Sequence, residues 1–521
     1  MVQQTKTPVA LGETRWQALL WPLLVIAVGA VSIFVSGVVG ALVIIIGYIW
    51  LVTRSLPVAL AIYVVFSPFP FGLMLHHHHI DVSDLMALMM AVRLVVTSIR
   101  EGSESLWQRF MGSPFWRPMT LLLVLSILSL ATALSHSTTA IKILEYIEFF
   151  VVIVAVARQA DLREEAWKPV IAGLFAIASA LALMGFYQFL FAVGPASTVV
   201  DHFHVRGAAV FGQPNAFGGF EAMVFPFVVA LLAYGPDWSR RWWGWVATVL
   251  TALAVIESYS RGAWVASVAA VFFMGVVAWV ARGRTMINRN FVVPAVVIPI
   301  LAFVVIDLLG KVHVAPHFAH LAVGQHPHVK PHSPVKPPPH SHVKRPPHAL
   351  PRYLRSKTTG KIAVSTVTSI LHPKSNFDMR QRLKIYKEAY LALRHHPILG
   401  VGLGGFHRYS MLHPQPGLKS TPTAQNLYLE WGADLGVLGL VASIWIEWSW
   451  VKSAVGALTS KVRKLTPFEF AMGLGAFGAI VSFIVHDWVD FLIDHGVIVP
   501  FLLALAVVWV LAENRRSRRA P

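Results

Sequence analysis

Apolar runs of about twenty residues recur along almost the whole chain, and each is long enough to cross a hydrocarbon core about 30 Å thick as a helix. A run such as LLVIAVGAVSIFV does not alternate polar and apolar residues, which excludes the strands of a membrane β-barrel. The charge content agrees: 13% of the 521 residues are charged and the mean hydropathy is +0.63, where a soluble domain carries about 25% charge. The absence of cysteine excludes disulfides and thiolate metal sites. The fold class expected is all-α: a polytopic transmembrane helical bundle of about 12–14 spans with one large extracytoplasmic loop.

Spans are predicted at 16–36, 38–53, 56–75, 80–99, 118–134, 138–157, 169–194, 216–234, 243–258, 261–281, 291–310, 428–450, 468–490 and 496–512. The first reads as a retained anchor, since its polar start (Thr5, Lys6, Arg15) lacks a small-residue cleavage pattern. Basic short loops orient the chain: SRRWW at 239–243, RGRTMINR at 282–289, KSAVGALTSKVRK at 452–464 and the tail RRSRR belong in the cytoplasm. Both termini are then cytoplasmic, and 195–215, the turn near Arg261, the stretch 311–425 and 491–495 lie outside. The expected location is the cytoplasmic (inner) membrane. Three regions follow: 1–310, the N-terminal part of the bundle; 311–427, the extracytoplasmic loop; and 428–521, the last helices with the basic tail.

The loop divides again. Residues 311–377 are rich in His, Pro and Lys with little to bury, so this part reads as extended and mobile. Its histidines admit a metal-binding reading, but a solvated spacer is favoured, and no metal or cofactor is expected. Residues 378–427 recover order: DMRQRLKIYKEAYLALRHHPILG puts Leu383, Tyr386, Tyr390 and Leu393 on one helical face, ended by Pro397 and Gly400. A second histidine run, His76–His79, reads as an outer turn, with Asp81 and Ser83 starting the next span. The segment 100–117 reads as an amphipathic stretch lying on the bilayer.

Ionisable groups at a membrane edge are costly and mark functional candidates. Four clusters fall on the outer side. One is HVRGAAVFGQPNAFGGF, where Arg206 precedes Pro214–Asn215, which cap the next span. The second is ESYSRGAWVAS, where Arg261 opens an apolar helix; the plain alternative is a snorkelling arginine. The third is the loop helix with Arg380, Arg382, Lys384 and Lys387, followed by a glycine-rich turn that repacks the chain onto the membrane. Its glycines lack the strand–loop–helix setting of a dinucleotide loop. The fourth is VHDWVDFLIDHG, with His486, Asp487, Asp490, Asp494 and His495. Arginine forks bind phosphate oxygens in pairs, and several together can hold a diphosphate leaving group as charge builds on it. The net charge of +18 fits anionic substrates, and no nucleic acid is expected as partner.

The ordered motifs RGAAVFGQPNAFG, SRGAWVA, RLKIYKEAYLALRHHPILGVGLGGF, QNLYLEWGADLGVLGL and VHDWVDFLIDH, between about 200 and 500, resemble the O-antigen ligase family and its wider polymerase/ligase superfamily. The resemblance implies a GT-C-type membrane enzyme that moves a glycan from undecaprenyl diphosphate to an acceptor hydroxyl at the outer membrane face. The acceptor is a glycolipid, another glycan or a protein, and the bilayer is a partner of the whole reaction. Arg261 and Arg382 match the family's diphosphate-contacting arginines, with Arg206 a third candidate. Arg380 joins the substrate-binding set, and Asn215 and Asn426 cap and shape the pocket.

One position departs from the pattern. Where the family has a histidine before Asn, this chain has Gln425. A histidine can take a hydroxyl proton near neutral pH, whereas a glutamine amide hydrogen-bonds but does not titrate there. Three readings follow. Another group acts, such as His486 with Asp487, or His407 or His413; or transfer rests on leaving-group stabilisation with Gln425 orienting the hydroxyl; or the chain only binds the lipid-linked glycan. A repeat-unit polymerase is the alternative function. A transporter or flippase is disfavoured by the lack of internal repeats and of midplane charge. A metal-handling protein would rest on His76–His79 and His313–His348.

Overall fold

The computed structural model describes residues 16–32, 37–70, 72–75, 78–100, 110–159, 161–195, 198–201, 204–283, 287–309, 377–416, 418, 420–461, 464–493 and 496–516. The His/Pro/Lys-rich stretch 311–376, His76, His77, Asp494, His495 and residues 101–109 of the amphipathic segment 100–117 lie outside them. The expectations placed on those residues are therefore not addressed.

The chain is a helical bundle. Its helices are α1 (Trp16–Ser32), α2 (Gly37–Arg54), α3 (Leu56–Phe66), α4 (Val82–Arg100), α5 (Trp116–Leu128), α6 (His136–Ile147), α7 (Val154–Arg158) and α8 (Glu164–Phe191). They continue as α9 (Pro214–Tyr234), α10 (Trp242–Glu257), α11 (Arg261–Arg282), α12 (Arg289–Leu309), α13 (Phe377–His395), α14 (Phe406–Leu412), α15 (Leu427–Leu458), α16 (Pro467–Asp487) and α17 (Val499–Arg516). Two small antiparallel hairpins interrupt them: β1 (Gly72–Leu75) with β2 (His78–Asp81), and β3 (Val199–Asp201) with β4 (His204–Val205). Seven described helices are long and apolar enough to cross a membrane by length and composition: α4, α8, α9, α11, α12, α15 and α16.

Every predicted span overlaps a helix, with three differences. The span 56–75 stops at Phe66, because Ser67, Pro68 and Pro70 cannot continue it and the chain turns into β1. At 11 residues, α3 is only about 16 Å long and cannot cross a bilayer alone. The span 138–157 is not one regular helix: a π-turn at Glu148–Ile153 separates α6 from α7. The span 428–450 is part of a longer helix, α15, that kinks at Gly436 (φ 74°). A side chain there would strike the Ile398 carbonyl, and the positive φ is open to glycine without strain.

Arg158 at the end of α7 bonds Glu513 near the end of α17 at 2.7 Å, joining those two helix ends. Helices α9 and α16 form the centre, with 94% and 89% of their apolar windows buried. Local chemistry sets several helix starts. Thr466 and Glu469 make a reciprocal capping box before Pro467, and Ser260 caps α11 by accepting the Ala263 N–H.

The predicted apolar face of α13 is only partly right. Leu383 and Tyr390 are exposed, and the buried residues are Ile385, Glu388, Ala389 and Ala392. Ala389 and Ala392 let α13 lie close on its neighbours, so the buried face runs through Ile385, Glu388 and these alanines and not through Leu383 and Tyr390.

Candidate functional site

The turn that follows α16 is where the separate motifs meet. Its His486 ring is wedged between two helices: a Cβ built on Gly219 of α9 would stand 2.9 Å from its Nδ1, and one on Gly262 of α11 2.8 Å from its Nε2. Glycine at both places is therefore a condition of this packing. Gly262 follows Arg261 directly, so the helix start carrying Arg261 is pressed against the His486 ring. Two residues on, the Trp488 carbonyl accepts Asn426 Nδ2 at 2.7 Å, and the Val489 carbonyl accepts the Arg382 guanidinium.

Behind Arg261 stands a second polar framework. Arg206 donates from Nε to the Ser258 carbonyl at 2.8 Å and from Nη2 to Asn215 Oδ1 at 2.8 Å. It thereby ties the 206–213 loop to both α9 and the α10–α11 turn. Gln188 of α8 completes this loop, accepting the Ala208 and Ala209 N–H groups and donating to the Ala209 carbonyl. Asn215 is not the cap expected of it. Gln213 is the N-cap residue, Pro214 the first helical one, and the Asn215 amide serves Arg206 instead.

Above the turn lie α13 and the start of α15. Asn426 is the N-cap of α15, its Oδ1 accepting the Leu429 N–H at 2.9 Å. Gln425 precedes it in the left-handed region (φ 52°), and its carbonyl accepts the Tyr386 hydroxyl at 3.4 Å. Burial raises Tyr386 above the ordinary tyrosine range, an effect that the Arg382 charge opposes. Its hydroxyl is thus a proton-bearing donor at neutral pH.

The glycine-rich turn is held by α15 itself. Asp434 accepts the Gly404 N–H at 2.6 Å and the Phe406 N–H at 2.9 Å. Val401 and Gly402 donate to the Ala433 and Asp434 carbonyls at 3.0 and 3.1 Å, and Val437 donates to the Pro397 carbonyl at 2.8 Å. The kink at Gly436 frees the backbone groups that make this seam, so the turn is an anchor for the loop and not a nucleotide cradle.

Arg206, Asn215, Arg261, Arg382, Gln425, Asn426 and His486 thus lie on segments joined by direct contacts at one end of the bundle. Two expectations need correction. His486 and Asp487 do not form a pair: Asp487 Oδ1 accepts the Leu492 N–H at 3.0 Å. Adjacent helical residues point away from each other, so His486 and Asp487, the last two residues of α16, serve different neighbours. Arg380, two residues from Arg382, is for the same reason exposed and turned elsewhere. His486 and Asp487 are moreover 1% and 0% exposed, and His486 Nδ1 has no hydrogen-bond partner among the described residues. His407 and His413 point into their own loop, onto the Thr421 and Tyr409 carbonyls at 2.9 and 3.2 Å.

Sequence reasoning missed Tyr386 as a polar member of the site, having read it as part of an apolar face. It also missed Asp434 as the loop's anchor; the signal for that was an acid opposite a glycine-rich turn. Among the described residues, no three His, Asp or Glu side chains are arranged to hold a metal ion.

Comparison with known proteins adds the family. No individually curated protein matches the chain. A model of the O-antigen ligase family matches residues 246–444, the stretch that runs from α10 through the kink of α15. Over that stretch the chain is similar to the O-antigen ligase family, and its described helices include seven long and apolar enough to cross a membrane.

Proposed function

We propose that this protein transfers a glycan from a polyprenyl-diphosphate carrier to an acceptor hydroxyl, with a GT-C-like arrangement acting at the outer face of the cytoplasmic membrane. The observation that carries the reading is the meeting of Arg261, Arg382, Gln425 and Asn426 around the turn after α16, with Arg261, Arg382, Gln425 and Asn426 inside the family-matched stretch. Arg261 and Arg382 hold the diphosphate, whose charge grows as the sugar–oxygen bond breaks. Arg206 and Asn215 fix the turn that presents Arg261, and Arg380 adds positive charge at the exposed edge. Asn426 sets the start of α15, and Gln425 orients the acceptor hydroxyl.

The new glycosidic bond forms as the bond to the diphosphate breaks, and the hydroxyl proton passes to the departing phosphate, whose second pKa is about 6. The burial of His486 favours this leaving-group mechanism over a histidine base. His486, packed against Gly262, positions the α11 start. The end of the bundle opposite the site carries Arg54, Arg100, Arg158, Arg240, Arg241, Arg282 and Lys452, which supports a cytoplasmic setting for that end.

The test is transfer from a polyprenyl-diphosphate glycan by the purified protein. Arg261→Ala and Arg382→Ala are expected to abolish it, while Gln425→His retains or raises it. If no variant consumes donor, Gln425→His included, the enzyme reading falls.

A further inference from the structure

Helices α10 and α11 are consecutive, yet they diverge below their shared turn. Helix α11 packs on α16 and α9, while α12 packs on α10. The space left between them is a cleft of about 760 Å³, within the roughly 300–1,000 Å³ typical of ligand sites. Along α11 it runs from Trp264 to Trp279, on the order of 22 Å at the helical rise. Its rim is formed by strongly exposed side chains, among them Val268, Phe272, Trp279 and Ile300, so it opens sideways. Its lining is apolar or aromatic apart from the Ser267 hydroxyl, and it contains no charged side chain.

We propose that this cleft holds the polyprenyl chain of the donor, with the diphosphate directed past Trp264 toward Arg261; this rests on the donor class proposed above. Three observations select that occupant. The lining offers nothing to a headgroup, so the polar end of any bound lipid must lie beyond the cleft. Arg261 stands one helical turn from Trp264 at the site end. At the opposite end, the Arg282 guanidinium is engaged by the Leu465 carbonyl at 3.0 Å and lies 3.8 Å over the Phe470 ring. All lining residues except Phe225 fall between 252 and 300, inside the family-matched stretch. A lipid-linked donor diffuses in the bilayer plane, so a sideways opening is the route by which it arrives.

The test uses purified full-length protein in phosphatidylglycerol nanodiscs with a diazirine-bearing undecaprenyl diphosphate. Labelling is expected on peptides covering 264–279 and 291–300, displaced by undecaprenyl phosphate and not by added phosphatidylglycerol. Gly275→Phe fills the cleft without moving backbone, because a Cβ there stands 3.6 Å from its nearest neighbour, the Phe291 ring. It should reduce labelling about tenfold and raise KM for the undecaprenyl-linked donor by a similar factor. KM for the same glycan on a geranyl carrier should not change. Ser267→Leu repeats the test from inside the cleft should Gly275→Phe unfold. Labelling elsewhere, displacement by phosphatidylglycerol, or equal effects on both donors would overturn the proposal. Photolabelling needs no turnover, so labelling without transfer removes the enzyme reading alone, and transfer without cleft labelling removes this one alone.

Discussion

The two faces of α11 are built differently. On one, Ala263, Ala266, Ala270, Met274 and Ala278 recur at helical spacing and are fully buried. Together with Gly262 they bring α11 onto α9 and α16 so closely that the His486 ring fills the remaining gap. On the other, Val268, Phe272 and Trp279 are 71%, 62% and 54% exposed and border the cleft. Apolar burial does not drive association between helices in lipid, so small residues and close van der Waals fit decide which surfaces meet. The small face positions a charge to within a side chain's width; the large face keeps its neighbours apart.

The largest expected effect comes from breaking the tight face. Gly262→Leu drives a side chain into the His486 ring. Overpacking of this kind costs about 1–3 kcal/mol, so the variant should melt well below wild type in detergent and lose transfer. Wild-type melting would mean the two helices are not held where described.

Arg382→Ala separates holding from chemistry. Losing one preorganised donor to developing charge costs about 10²–10³-fold in rate, so transfer should collapse while melting falls modestly. Melting that falls with transfer intact would make Arg382 a clamp on the Val489 carbonyl and no more.

A smaller effect is expected at Asn426. Asn426→Ala removes a helix cap worth about 1 kcal/mol and leaves the Trp488 carbonyl unpaired. Asn426→Asp keeps the cap but loses the donor to Trp488. Stability recovered by Asp without recovered transfer would assign the functional share to the bond with Trp488. Least of all, Val268→Ala on the open face should leave melting within about 0.5 kcal/mol of wild type; a larger drop would mean that face is packed.

How much of this was legible beforehand follows from which forces act locally. Spans were readable because hydropathy is a property of each segment. The early stop of α3 was missed, because the apolar run carried the predicted span to 75 past Pro68 and Pro70. The face of α13 was not readable, because Ala389 and Ala392 carry little hydrophobic signal and matter only against a close neighbour. The pairing of His486 with Asp487 came from adjacency in sequence, whereas neighbouring helical residues point apart and Asp487 serves the Leu492 N–H. That Trp488 and Val489 offer carbonyls to Asn426 and Arg382 depends on three elements docking, which no local pattern records.

Gln425 carries one further consequence. Its backbone sits at φ 52°, a region that excludes β-branched side chains and in which Asn, Asp and His are several-fold enriched. The backbone therefore screens what can stand at this position before chemistry does. A histidine and a glutamine can exchange here with the Tyr386 bond and the Asn426 cap intact, and a valine or threonine cannot. The position is a socket whose shape is set by the main chain, and the reactivity of the occupant can be exchanged without rebuilding the loop around it.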